Sequence, residues 1–352
     1  MNTNDNNKTQ IHLQNLVGIV LCFDFFVLNT KKEIKMIVEN WLRLLSINLG
    51  WIDDFNKIIE RYTKYIKQIK VFQILSKPIN CVKFSPDGTK IASSFSDFTV
   101  VWDIESGKGM QMLKGPQLVN NIQFSFDGKL VLSSPDNNTI RLWDIGKDVK
   151  TLTGHLLGVT KAQFSSNNCM IVSSSSDETI RIWDVKTGRE IKQLIGHTKC
   201  ISDVQFSYDC QFIVSSSYDK TIAIWNVKTG KKIKELIGHS DNVIKAEFSK
   251  DGKIITSCSS DKTIRIWDVK SGREIKKLEV FSRWITDFKY LVDGQNIIFC
   301  TNDKTMQLWD VKAGVEIQAL EGHSSAVTGF DISPNGNMIA SSSYDKTIRL
   351  WG

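Results

Sequence analysis

Residues 238–268 read GHSDNVIKAEFSKDGKIITSCSSDKTIRIWD. Within this stretch Thr263–Trp267 alternates polar and apolar side chains with period two, the pattern of a strand with one buried face. Lys250-Asp251-Gly252 is a turn signal, because Gly adopts positive φ at no steric cost and Asp bonds to backbone two residues on. One strand ends at Phe248-Ser249 before that turn, and another ends at Ser259-Ser260 after it. The stretch is therefore a run of short antiparallel strands joined by tight turns.

The same reading recurs along the chain. Tryptophans stand at Trp102, Trp143, Trp183, Trp225, Trp267, Trp309 and Trp351, at spacings of 41, 40, 42, 42, 42 and 42 residues. Five of the seven are followed by Asp, with Asn226 and Gly352 as exceptions. Further turn signals lie at Ser85-Pro86-Asp87-Gly88 and Lys228-Thr229-Gly230. Four short strands per repeat of about 40–45 residues is the signature of a propeller blade. Seven repeats predict an all-β, seven-bladed β-propeller. These residues resemble the WD-repeat (WD40) family, with its G-protein β-like repeats, over nearly four-fifths of the chain.

The ends of the array carry a second argument. The inner units have a fourth strand after Trp-Asp, as in Glu190–Ile195, but the sequence of the last unit stops at Gly352. Residues 70–75 (KVFQIL) match those fourth strands in pattern and in distance from the next Phe-Ser. The expectation is that residues 70–75 complete the seventh blade, closing the ring and removing an edge that would template aggregation. The propeller is thus assigned to residues 70–352. Residues 31–69 carry apolar side chains at helical spacing, among them Trp41, Leu42, Trp51, Phe55, Ile66 and Ile69, with Gly50 as the break. They are assigned as a helical module available for self-association, and residues 1–30 as a flexible or apolar N-terminal segment. The apolar run Leu16–Leu28 is interrupted by Asp24 and falls short of the roughly 20 residues a spanning helix needs, so no transmembrane span is assigned.

Composition is that of an ordinary globular protein, with 41% hydrophobic and 24% charged residues. A net charge of +7, with acidic residues mixed among basic ones, does not call for nucleic acid. The seven cysteines include no C-x-x-C, so neither zinc nor redox chemistry is signalled. Single thiols scattered through apolar strands imply buried cysteines in a reducing compartment, cytoplasmic or nuclear.

A Ser, His, Asp and Trp set recurs at fixed spacing: His155, Ser173, Asp177 and Trp183; His197, Ser215, Asp219 and Trp225; His239, Ser257, Asp261 and Trp267; His323, Ser341, Asp345 and Trp351. One copy would suggest a nucleophile and its base. Four copies, each paired with a strand tryptophan, point to a repeated structural network, and the family resemblance implies a hydrogen-bonded tetrad. Only His12 lies outside these sets. No phosphate-binding glycine motif is present, so no catalytic residue, cofactor, metal or small-molecule substrate is assigned. The sixth unit departs from the pattern, with Phe281 and Phe299 in place of His and Ser. The second has Pro116 near the His position and Asn137 for Asp; the first lacks His and shifts Asp97 by one.

The resemblance implies that the Gly-His loops and the tetrad-Asp loops share one face. On it Trp284, Arg283, Tyr218, Tyr344 and Lys199 are candidate partner-binding residues, because Trp, Tyr and Arg dominate binding hot spots. The expected function is a non-catalytic scaffold presenting that face to peptides or proteins within a multiprotein complex. The alternative is a chromatin-associated, histone-binding subunit, or one that binds nucleic acid or anionic lipid through basic hairpins such as Lys228–Lys232 on the opposite face. Residues Asn80, Asn120, Thr160, Ser202, Ile244, Thr286 and Thr328 are expected along the channel wall. They hold no phenylalanine pair like the one with which the WD-repeat subunit of histone methyltransferase complexes grips an arginine.

Overall fold

The computed structural model describes residues 66–73, 77–96, 98–114, 118–144, 147–280, 284–291 and 293–352. Their strands form seven four-stranded antiparallel sheets. In the fifth, Val243–Phe248, Ile254–Ser259, Thr263–Asp268 and Glu274–Glu279 follow in spatial order from the inside outward. Six of the sheets are meanders, and the strands of the seventh alternate in direction as theirs do, so the turns fall on two faces. One face, called the rim face below, carries the connections between blades and the turns joining second to third strands. The other carries the remaining hairpins.

Side chains from the innermost strands of all seven blades line a single central channel, including Asn121, Lys161, Asp203, Lys245 and Asp287. Between adjacent blades lie separate apolar clusters. One of them packs Val172, Ile180 and Ile182 of the third blade against Val204, Ile213 and Trp225 of the fourth. The core is therefore a ring of interfaces, as expected when each repeat can bury its face only against the next.

The seventh blade draws on both ends of the described chain. Gln68–Gln73 pairs with Thr347–Trp351, with Val71 opposite Arg349 and Phe72 opposite Ile348. The closing strand thus starts two residues before the assigned 70–75 and includes residues 70–73; residues 74–76 lie outside the described residues. Ile66 and Ile69, counted above at helical spacing, are not helical. Pairing with the last strand and burial of Phe72 against Ile348 and Leu350 override the local period. The rest of the expected helical module, and residues 1–30, lie outside the described residues.

Two sets of side chains tie blade to blade. Two residues before the buried Leu or Phe of the outer strand stands a lysine in five blades, and its ammonium donates to two carbonyls in the next blade's hairpin. Lys234 Nζ reaches Val269 O and Lys270 O at 2.8 and 2.6 Å. Lys276 reaches Val311 O and Lys312 O, both at 2.7 Å. Lys70, Lys150 and Lys192 repeat the contact. At the same place in the sixth blade stands Gln318. There the neighbouring hairpin is replaced by the incoming strand, and the amide accepts from Ile66 N at 2.9 Å while donating to Ile66 O at 2.7 Å. Only a side chain with both a donor and an acceptor can satisfy both backbone groups.

At the channel wall, Thr160, Ser202 and Thr328 donate to Ile201, Val243 and Ile79 carbonyls of the following blade at 2.6–2.7 Å. Asn80 and Asn120 do the same with their amides. Ile244 has no group to offer, and the interface it faces is bridged instead by Lys245 and Asp287 at 2.9 Å. Burial pushes the Lys245 ammonium down, but Asp287, Glu247 and Asp203 outweigh it and hold its pKa well above the usual value.

Candidate functional site

Each Ser-His-Asp-Trp set converges in one blade. In the fourth, Trp225 Nε1 donates to Ser215 Oγ at 2.8 Å, Ser215 Oγ lies 2.8 Å from His197 Nε2, and His197 Nδ1 lies 2.7 Å from Asp219 Oδ2. The third, fifth and seventh blades reproduce these contacts within 2.7–2.9 Å. Proton direction follows from chemistry. An ionised carboxylate only accepts, so Nδ1 carries the imidazole proton, and Nε2 of the neutral ring accepts from the serine hydroxyl. Burial pushes the His155 and His323 pKa values down against the opposing pull of Asp177 and Asp345, consistent with neutral rings. Burial also pushes Asp177 up, but bonds from Thr179, Leu156 N and His155 outweigh it and bring the carboxyl to about 2.

Ser, His and Asp here have the order of a nucleophile relay. Ser173, Ser215, Ser257 and Ser341 are nevertheless 0% exposed, and each accepts from a tryptophan N–H. A substrate cannot reach them.

The divergent blades keep parts of the network. Trp102 donates to Ser93 at 2.8 Å and Trp143 to Ser133 at 2.9 Å. Asn137 accepts from Thr139 at 2.6 Å. Asp97, Pro116 and Phe281 lie outside the described residues. In the sixth blade Phe299 meets Trp309 edge-on at 5.5 Å, and Trp309 Nε1 is buried without a hydrogen-bond partner. Exchanging Ser for Phe therefore left the tryptophan donor orphaned. Trp309→Phe is expected to cost less than about 1 kcal/mol, since losing ring area is offset by removing an unmet donor. Trp225→Phe, which strips Ser215 of its donor in a complete tetrad, is expected to cost about 2 kcal/mol or more. Urea unfolding of both variants checks the contrast.

On the rim face Trp284 and Tyr344 are each 56% exposed and Tyr218 38%, while Lys199 is also exposed. Their backbones are fixed: Asn302 N donates to Trp284 O at 3.0 Å, Tyr344 N to Ala326 O at 3.1 Å, and Tyr218 N to Cys200 O at 3.0 Å. Arg283 lies outside the described residues. Sequence reasoning missed Leu118, Leu156 and Leu157, exposed on the rim loops of the second and third blades. Position alone marks them, through their places beside His155 and just before the inner strand Val119–Phe124.

On the opposite face the hairpin cations Lys186, Arg189, Lys228, Lys231, Lys270 and Arg273 are exposed. Lys192 and Lys234 are held to hairpin carbonyls, and Lys232 pairs with Glu235 at 2.6 Å. The cysteine expectation needs correction. Cys81, Cys258 and Cys300 are buried, but Cys169 is exposed and Cys200 and Cys210 are half-buried, because Cys169 and Cys210 sit in hairpin turns and Cys200 in a rim loop. Among the described residues no group of three or more His, Cys, Asp or Glu side chains is placed to hold a metal, and no helix is long and apolar enough to cross a membrane.

A closed ring of seven antiparallel blades, tied by repeated tetrads and bearing an aromatic rim, defines a repeat propeller. The family model for "WD domain, G-beta repeat" matches residues 67–103, 107–144, 146–184, 188–226, 230–268 and 314–352. These segments exceed half of the chain, which belongs to the WD40 family. The span between the last two segments holds most of the divergent sixth blade. The chain is 32% identical over 85 residues to the "Coronin-like protein" of Saccharomyces cerevisiae, covering 24% of this chain and 13% of that protein. It is 32% identical over 80 residues to the "Serine-threonine kinase receptor-associated protein" of Homo sapiens, covering 22% and 23%. It is 31% identical over 132 residues to "Apoptotic protease-activating factor 1" of Danio rerio, covering 34% and 10%. The matched regions thus span less than a quarter of each relative.

Proposed function

We propose that this propeller is a non-catalytic interaction scaffold whose rim face receives a peptide or protein partner within a larger complex. The observation that carries the reading is Trp284, a large aromatic more than half exposed on a loop whose backbone is held in place. Exposed aromatics on rigid supports supply large contact area at small entropic cost, and truncating such an anchor typically costs about 2 kcal/mol or more. The enzyme reading is opposed by the sealed serines, whose hydroxyls are occupied on both sides. Two of the relatives are named for association with a receptor kinase and for activation of a protease, both actions through another protein.

Trp284→Ala is expected to weaken the principal partner at least tenfold while leaving thermal stability nearly unchanged. The comparison is affinity capture from cells, followed by titration of the recovered partner against both forms. Replacing Lys228, Lys231 and Lys232 on the opposite face should have little effect at physiological salt. Loss of the partner from that triple variant alone would move the site to the opposite face and favour an anionic ligand. A large fall in melting temperature for Trp284→Ala would make the ring a packing element.

A further inference from the structure

We infer that the rim of the fourth to seventh blades recognises an acidic peptide segment carrying an apolar side chain among its carboxylates. The inference rests on the rim being the partner surface and adds the chemistry of what binds there.

The loops joining second to third strands in these blades read Tyr218-Asp219-Lys220, Ser260-Asp261-Lys262, Asn302-Asp303-Lys304 and Tyr344-Asp345-Lys346. Asp219, Asp261 and Asp345 are engaged by their blades, each accepting from a histidine, a backbone N–H and a threonine hydroxyl. The four lysines are exposed, as is Lys199 in the adjoining loop. Lys220 Nζ donates to Ser240 O at 2.8 Å and retains two further protons to offer.

The backbone at these positions is that of the repeated turn: Lys220, Lys262 and Lys346 hold φ of 74, 66 and 66°, and Asn138 and Glu178 hold 65 and 67° at the same place in the second and third blades, the left-handed region that glycine occupies without steric cost. Glycine therefore fits these positions, and replacing the lysines with it removes the cation without straining the turn.

The two preceding blades differ in kind. There the same loops carry Asp136, Asn138 and Glu178, beside the exposed Leu118, Leu156 and Leu157. The face is thus divided into an arc of lysines interleaved with Trp284, Tyr344 and Tyr218, and a shorter acidic and aliphatic arc. Carboxylates complement the first arc, and an apolar side chain between them meets the aromatics. A nucleic-acid strand, which also seeks lysines and stacking rings, needs an unbroken positive track. Here the exposed Asp241 and Glu321 interrupt that track.

The test titrates the full chain with three fluorescein-labelled probes: the peptide Glu-Asp-Glu-Leu-Phe-Asp-Glu-Glu, its counterpart with every acid changed to Lys, and a dT12 oligonucleotide. The acidic peptide should bind more tightly than either other probe, and its affinity should fall at least tenfold in Trp284→Ala. The triple variant Lys220→Gly, Lys262→Gly, Lys346→Gly should show the same loss with a melting temperature that is not lowered, which separates binding from folding. Tighter binding of the lysine peptide or the oligonucleotide, or unchanged affinity in the triple glycine variant, overturns the acidic chemistry. If no probe binds but Trp284→Ala still loses the captured partner, the rim stands and the acidic chemistry falls. If binding is lost only on replacing Lys228, Lys231 and Lys232, both fall.

Discussion

A chain that begins at Pro78 is expected to aggregate on expression, whereas one that begins at Ile66 remains soluble. The difference is the strand Gln68–Gln73, the outermost of the seventh blade. Without it, Thr347–Trp351 presents a bare row of backbone donors and acceptors, a template for pairing with other chains. Phe72, 5% exposed, leaves the cluster formed with Ile348, Leu350 and Trp102. The gentler form of the experiment is Phe72→Ala in the full chain. It should cost about 3–5 kcal/mol, the usual range for deleting a buried aromatic ring, read from urea unfolding. Size-exclusion chromatography decides the deletion. A monodisperse, cooperatively unfolding product from the chain beginning at Pro78 would show that the ring does not depend on this strand.

Ser215→Ala is the second large effect. Its hydroxyl accepts from Trp225 and donates to His197, both at 2.8 Å and in a site closed to solvent. Removing it orphans one donor and one acceptor, at about 1–3 kcal/mol for each buried group left unpaired. The cost should appear as a lower urea midpoint without loss of the rim-bound partner. Unchanged stability together with the disappearance of a hydrolytic turnover would assign the serine to chemistry.

The fold was legible because the repeat states it seven times. The tryptophan spacing, the period-two runs such as Thr263–Trp267 and the turn residues all favour one architecture, and such agreement across levels is what makes a sequence specify a structure. The divergent sixth blade was legible only through its neighbours. Tyr290-Leu291 replaces the usual Phe-Ser ending, yet Ile285–Tyr290 pairs with Asn296–Thr301 in the same register as the other blades. The contacts between blades were not legible. Lys234 and Gln318 read as surface polar residues, because what they touch lies 35 and 252 residues away in sequence. The start of the closing strand was read two residues late for a related reason. Gln68 and Ile69 continue a helical spacing locally, and only the partner strand at the far end of the chain decides otherwise. On the rim, aromatic residues stood out by type, but the lysines of the same loops did not, since only their gathering on one face of the fold separates them from ordinary surface charge.

The blade that closes the ring is delivered by the ribosome in two instalments. Gln68 and Arg349, neighbours across the closing pair, are 281 positions apart. At about 5–20 residues per second, roughly 15–60 s separates the synthesis of the two partners. Joining such distant segments adds little entropic cost at equilibrium, since that cost grows only with the logarithm of the loop. Time is the greater burden. For that interval Ile69, Val71 and Phe72 have no partner strand, and six blades can assemble before the ring can close. The nascent chain is therefore most exposed to misassociation just before its last strand is made, and a chaperone that covers an apolar strand would act on this protein within that window.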